Sequence, residues 1–159
     1  MTLPIIEKII ISSSPVLVST PFNALGLTTF SETEPKAIWQ PPNYVFGLAW
    51  PTLYFLLFSL NWNILSDERL TNVFKKKIIK NTLLESSAQG SWLYFFRFKR
   101  NIQGRDKSQY IYGLINTTIL VGLSYNTLYD IYQTKKNVYL LLYIPYFLWI
   151  QFANILNLQ

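Results

Sequence analysis

The chain contains neither cysteine nor histidine. Without cysteine there is no disulfide, no thiolate nucleophile and no Cys-based zinc site. Without histidine, the side chain that most often acts as a base near neutrality is missing. A general base would have to be a Glu, Asp or Lys moved far from its ordinary range. A common hydrolytic enzyme is therefore not expected, and no catalytic or metal-binding residue is assigned. The redox compartment is left open.

Charge is scarce as well. Only 14% of the 159 residues are charged, against about 25% in an ordinary soluble domain. The layout decides more than the total. Charges gather in short clusters separated by long charge-free windows. The net charge is +6, but the bases sit at the ends of apolar segments, where lipid headgroups would meet them. Nucleic-acid binding is not expected, because these basic runs have no folded groove to sit on.

What is present is apolar and aromatic: 50% hydrophobic residues, including 5 Trp, 11 Tyr and 11 Phe. A helix needs about 20 mostly apolar residues to cross a bilayer. Five windows of that kind fall at about 9–28, 43–65, 78–98, 108–129 and 138–157, which predicts a single all-α domain of five transmembrane helices, an integral multi-pass membrane protein. Window 1 holds Pro15 and Pro21. It lacks the basic start of a signal peptide and reads as a retained helix. Pro41-Pro42 cannot lie inside a helix but can open one. Pro51 predicts a bend near Gly47, and Pro145 a bend in helix 5. Window 3 is the most polar, and Glu85 within it should face the bundle interior or the interface. Charged loops are expected over 66–77, 97–107 and 130–137. Eight bases on one side against six on the other leave orientation undecided. A soluble helical bundle is the competing reading, since the mean hydropathy is only +0.20. Windows 2 and 5 argue against it, because a soluble surface helix needs a polar face.

Three aromatic stretches stand out. The first runs Trp39-Gln40-Pro41-Pro42-Asn43-Tyr44-Val45-Phe46-Gly47-Leu48-Ala49-Trp50 and on to Leu53-Tyr54. Phe46, Trp50 and Tyr54 are four apart and share a helix face. The second is Gln89-Gly90-Ser91-Trp92, followed by Phe95-Phe96. The third is Pro145-Tyr146-Phe147-Leu148-Trp149, followed by Phe152-Ala153 and Leu156-Asn157. Interface anchoring or plain packing accounts for most such aromatics. A Trp beside a small residue one turn away, as Trp149 and Ala153 are, leaves room for a ligand against a flat apolar wall with one N–H donor.

The pattern W-x-P-P-x-x-V-F-G-x-x-W-x-x-L-Y resembles the start of the second helix of the TspO translocator family, also called the peripheral-type benzodiazepine receptors. P-Y-x-x-W-x-x-F-A-x-x-L-N resembles that family's fifth helix. The family usually has Trp at position 44 and Thr at 51, where this chain has Tyr44 and Pro51. In the third helix Gln89 stands where the family has Asn, Trp92 is kept, and Phe95-Phe96 come one residue early. The animal members' cholesterol-recognition stretch, a Tyr then a base after helix 5, has no counterpart here, so sterol binding by that route is not expected.

The resemblance implies a helix-bundle cavity for flat apolar ligands, notably porphyrins and haem-like tetrapyrroles. Carried over by position, the site comprises Trp39, Pro42, Trp50, Tyr54, Gln89, Trp92, Trp149 and Ala153, with the first loop as a lid. Indole rings can stack on a macrocycle face. Haem iron would lack its His or Cys axial ligands, leaving Tyr, so binding by stacking is expected, with no cofactor required. Lys36 and the start of helix 2 are candidates for the propionates.

Three functions compete: a tetrapyrrole- or lipid-binding sensor, scavenger or carrier; an enzyme of light-dependent porphyrin breakdown using Trp50 and Trp149; and a structural or partner-binding membrane protein without a ligand. Beyond the lipid bilayer and an apolar small molecule, the resemblance also implies a homodimer. Gly113 and Gly122 would permit close helix approach.

Overall fold

The computed structural model describes residues 3–26, 41–98 and 107–156; the side chains of 22–26, 43, 92–98 and 107–110 lie outside the description. The described residues form five α-helices and no strand: α1 Ile5–Gly26, α2 Asn43–Ser66, α3 Asn72–Phe98, α4 Lys107–Gln133 and α5 Asn137–Leu156. Around the bundle, α1 packs between α2 and α3, α4 between α3 and α5, and α5 returns to α2.

Local chemistry explains where these helices start and how they tolerate proline. Pro42 precedes the first residue of α2 with φ −55° and ψ 149°, and its carbonyl accepts the Val45 N–H at 2.9 Å. Pro15 has no N–H to give the Ile11 carbonyl. The Ser14 hydroxyl takes over that carbonyl at 2.6 Å, as side chains do when proline interrupts a membrane helix. Thr71 caps α3, its Oγ1 accepting the Phe74 N–H at 3.2 Å.

Two expected loops are shorter than the sequence suggests. The charged stretch 66–77 holds a loop only as far as Thr71; Asn72 to Lys77 form the first turns of α3. Lysine is a good helix former whatever its hydropathy. Likewise α4 runs on through Asp130 to Gln133. There Asp130 is almost fully buried and bonded to Lys77 Nζ at 2.6 Å. An acid held in this way has no need of a solvent loop. The turn that follows places Lys135 at φ 55°, the left-handed region.

The core is built on spacings of four and three. Leu53, Leu57, Leu60 and Ile64 of α2 are buried, as are Tyr139, Tyr143, Tyr146 and Ile150 of α5. This seam spacing is that of near-parallel packed helices. The inward faces of α3 and α4 are instead polar. Asn81, Thr82, Glu85, Ser86 and Gln89 are buried on α3, and Thr117, Ser124 and Thr127 on α4. Among the described residues, twenty-two large hydrophobic side chains are exposed, including Leu48, Phe55, Ile115 and Leu141. A soluble protein does the reverse, burying such residues and exposing polar ones.

Among the described residues, only α2 (over Tyr44–Ser66) and α5 are both long and apolar enough to cross a membrane. They are not the hidden core helices of a soluble protein, because just 28% and 22% of their most apolar windows is buried. The other three helices fall short of that apolar composition. Many of their polar residues are turned inward, among them Ser12 and Ser19 of α1, Glu85 of α3 and Thr127 of α4.

Candidate ligand-binding site

Helix α2 supplies one wall of the aromatic site. Trp50 and Tyr54, a turn apart, have ring centres 5.8 Å apart. The opposing wall is Trp149 of α5. Its ring meets Trp50 edge to face at 6.2 Å and Phe46 at 5.5 Å, and Phe152 lies beside it at 5.6 Å. Such edge contacts suit the ring quadrupoles and hold the indoles in fixed orientations. Ala153, one turn beyond Trp149, is half-buried.

Helix α3 supplies the polar edge. The Tyr54 hydroxyl donates to Gln89 Oε1 at 2.5 Å, and both residues are buried. One donor remains unused. The Trp149 Nε1–H is buried and has no acceptor among the described residues. A buried N–H without a partner costs about 1–3 kcal/mol, so this atom marks a place where an incoming acceptor would be favoured.

The structure thus gathers Trp50, Tyr54, Gln89, Trp149 and Ala153 from three helices. Pro42 sits exposed at the start of α2. Trp39 lies outside the described residues, and so does Lys36. Trp92 belongs to α3, but its side chain is not among those described.

A turn deeper is a cluster the sequence reading did not assemble. Glu85, one turn before Gln89 on α3, is fully buried. It accepts hydrogen bonds from Thr127 Oγ1 of α4 and from the Tyr143 hydroxyl of α5 at 2.8 Å. Tyr143 also reaches the Ser124 carbonyl at 3.3 Å, and Gln151 Nε2 bonds Ser124 Oγ at 3.4 Å. Tyr146 packs on Tyr143 at 5.8 Å, and its buried hydroxyl has no partner among the described residues. The expectation that Glu85 faces the interior is met. The spacing of Tyr139, Tyr143 and Tyr146 puts them on one face of α5 but does not name Glu85 as what that face meets.

The far end of the bundle is tied by ion pairs. Asp67, just past α2, pairs with Arg69 at 3.1 Å and with Lys136, and accepts the Tyr139 hydroxyl at 2.6 Å. This joins the α2–α3 and α4–α5 loops at one end.

The sequence profile of the TspO/MBR family matches residues 12–159. The chain is also 30% identical over 141 residues to the tryptophan-rich protein TspO of Archaeoglobus fulgidus, covering 86% of this chain and 80% of that protein. The profile covers α1 from residue 12 and the whole of α2 to α5, including Trp50 and Trp149, so this chain belongs to the TspO/MBR family of membrane proteins.

Proposed function

We propose that the chain is a five-span membrane protein that binds flat apolar ligands of the porphyrin and haem class against the Trp50–Trp149 wall. The supporting observation is the buried, unpartnered Trp149 N–H inside a cage of Phe46, Trp50 and Phe152. Apolar faces with a few placed polar groups are the usual chemistry of small-molecule sites. Trp50 and Trp149 offer ring faces and edges to a macrocycle. The Trp149 N–H offers a donor to a carbonyl or carboxylate on it, and Gln89, held by Tyr54, offers an amide. Stacking on indole carries the affinity, with no protein ligand to an iron. Sensing, scavenging and carrying all begin with this step.

The five-span reading has its own support. Beside the apolar core, polar residues of α1, α3 and α4 are buried, and many large apolar residues among those described face outward. In a bilayer that arrangement is favourable, since inward Ser, Thr, Asn and Gln bond across helices while outward Leu, Ile and Phe meet lipid.

Protoporphyrin IX titrated into the protein in nanodiscs, followed at the Soret band, tests the proposal. Saturable binding is expected. Trp149→Phe keeps a flat ring and removes the N–H, so affinity should fall about fivefold for one lost hydrogen bond of roughly 1 kcal/mol. A folded, helical sample with no saturable binding would remove the ligand and leave a structural role.

A further inference from the structure

Past the aromatic site, at the Ser66 end of α2, a cleft of about 470 Å³ opens between α1, α2 and α3. Lys8, Ser66, Glu68, Thr71 and Lys75 are among its lining residues. Lys8 Nζ reaches Ser66 Oγ at 3.4 Å, and Lys75 Nζ donates to the Leu65 carbonyl at 3.1 Å. Two ammonium groups from different helices thus converge on one opening, against the single exposed carboxylate of Glu68. Helix α3 begins in the same wall, and its first turn carries no acidic side chain to offset the positive end of its dipole.

A second groove, of about 270 Å³, lies on the outer surface of α1 and α2. Ile9, Phe55, Phe58 and Trp62 line it, and the Phe58 and Trp62 rings stack at 6.1 Å. Lys8 connects the two sites. Its ammonium lies 5.9 Å from the Trp62 ring centre and also lines the basic cleft, while its neighbour Ile9 lines the groove.

We infer that cleft and groove together dock one anionic phospholipid, with its phosphate headgroup at Lys8 and Lys75 and an acyl chain along Phe58 and Trp62. A free phosphate would use the cleft alone. A neutral lipid would use the groove alone. An anionic phospholipid matches both, in the order the residues present them: charge at the helix ends, apolar rings farther into the span. This inference rests on the membrane-spanning reading above.

The test uses the full chain in phosphatidylcholine nanodiscs doped with a lipid brominated on its acyl chains. The dopant is phosphatidylglycerol in one series and phosphatidylcholine in the other. Emission from Trp62 is isolated as the difference from Trp62→Phe. Brominated phosphatidylglycerol should reach half-quenching at a mole fraction about tenfold lower than brominated phosphatidylcholine, as two lysines near an anionic headgroup imply. The double variant Lys8→Gln/Lys75→Gln should lose that preference. Lys76→Gln, an exposed lysine at the same end but outside the cleft, should keep it. Equal quenching by both lipids overturns the site while leaving membrane insertion intact. Equal loss of preference in Lys76→Gln assigns the effect to diffuse surface charge and also overturns it. Removal of the preference by millimolar inorganic phosphate at fixed ionic strength makes the occupant a free anion, not a lipid. A protein that fails to enter nanodiscs at all overturns the membrane reading beneath it.

Discussion

Glu85 shows what a single residue reveals only after folding. Its position within an expected span placed it in the bundle interior or at the interface, but its partners lie 42 and 58 residues along the chain. No local pattern could name Thr127 and Tyr143 as donors, because the contact is made by helix packing. Interhelical hydrogen bonds in membrane proteins contribute about 0.6–2 kcal/mol each. Replacing Glu85 with Ala takes the carboxylate from two buried hydroxyls and leaves them only the longer bonds to the Leu123 and Ser124 carbonyls. Glu85→Ala should therefore lower unfolding stability in bicelles by about 1–3 kcal/mol, and Glu85→Gln, which keeps an acceptor oxygen, by less. Equal losses for the two variants would mean that the hydrogen bonds do not hold this cluster. The aromatic site was more legible. Trp50, Tyr54 and Trp149 could be picked out by local spacing and motif, and the structure brings them together with Gln89. Their edge-to-face geometry and the unpartnered indole N–H could not be read, since both depend on how α2 and α5 face each other.

The number and order of the helices were legible, because charge-free windows and proline positions are local signals. Their ends were less so. Hydropathy excluded the three lysines that open α3, although lysine extends helices well and can carry its charge to the headgroups. Polar α3 and α4 look unlike spans in composition, and that many of their polar residues point inward is a fact only packing discloses. Two positions test the local backbone account. A Cβ at Gly47 would meet nothing within 4 Å. Gly47→Ala should then stabilise α2 by about 0.5–1 kcal/mol through backbone entropy and propensity alone. A loss in the same unfolding assay would show that Pro51 needs a glycine there. Lys135 holds a left-handed conformation that costs a non-glycine residue about 1–2 kcal/mol. Lys135→Gly should recover part of that, read as a higher unfolding midpoint; no gain would place the strain elsewhere.

At the scale of the whole molecule, the bundle has two ends with different chemistry. One carries Asp67, Arg69, Lys136 and the basic cleft; the other is where α2 begins at Asn43 and α5 finishes at Leu156. The chain has no cysteine of its own, so single-cysteine variants can be labelled without background. In sealed vesicles, a membrane-impermeant maleimide should label Glu7→Cys, Glu68→Cys and Lys135→Cys from one side. Pro42→Cys and Leu156→Cys should react from the other. Labelling of all five from one side would contradict five spans.

The proposed ligand sits between α2 and α5, against Trp50 and Trp149. Trp62, stacked on Phe58 in the outer groove, is about 18 Å farther along α2 and offers a second aromatic surface. The most direct measurement is therefore the affinity of protoporphyrin IX for Trp50→Ala, Trp149→Ala and Trp62→Ala side by side in nanodiscs. Losses of about tenfold or more are expected for the first two, the scale of one aromatic contact with a ligand. Trp62→Ala should stay within about twofold of the unaltered protein. Weakening by Trp62→Ala alone, with the other two unchanged, would move the ligand to the outer groove and contradict the account.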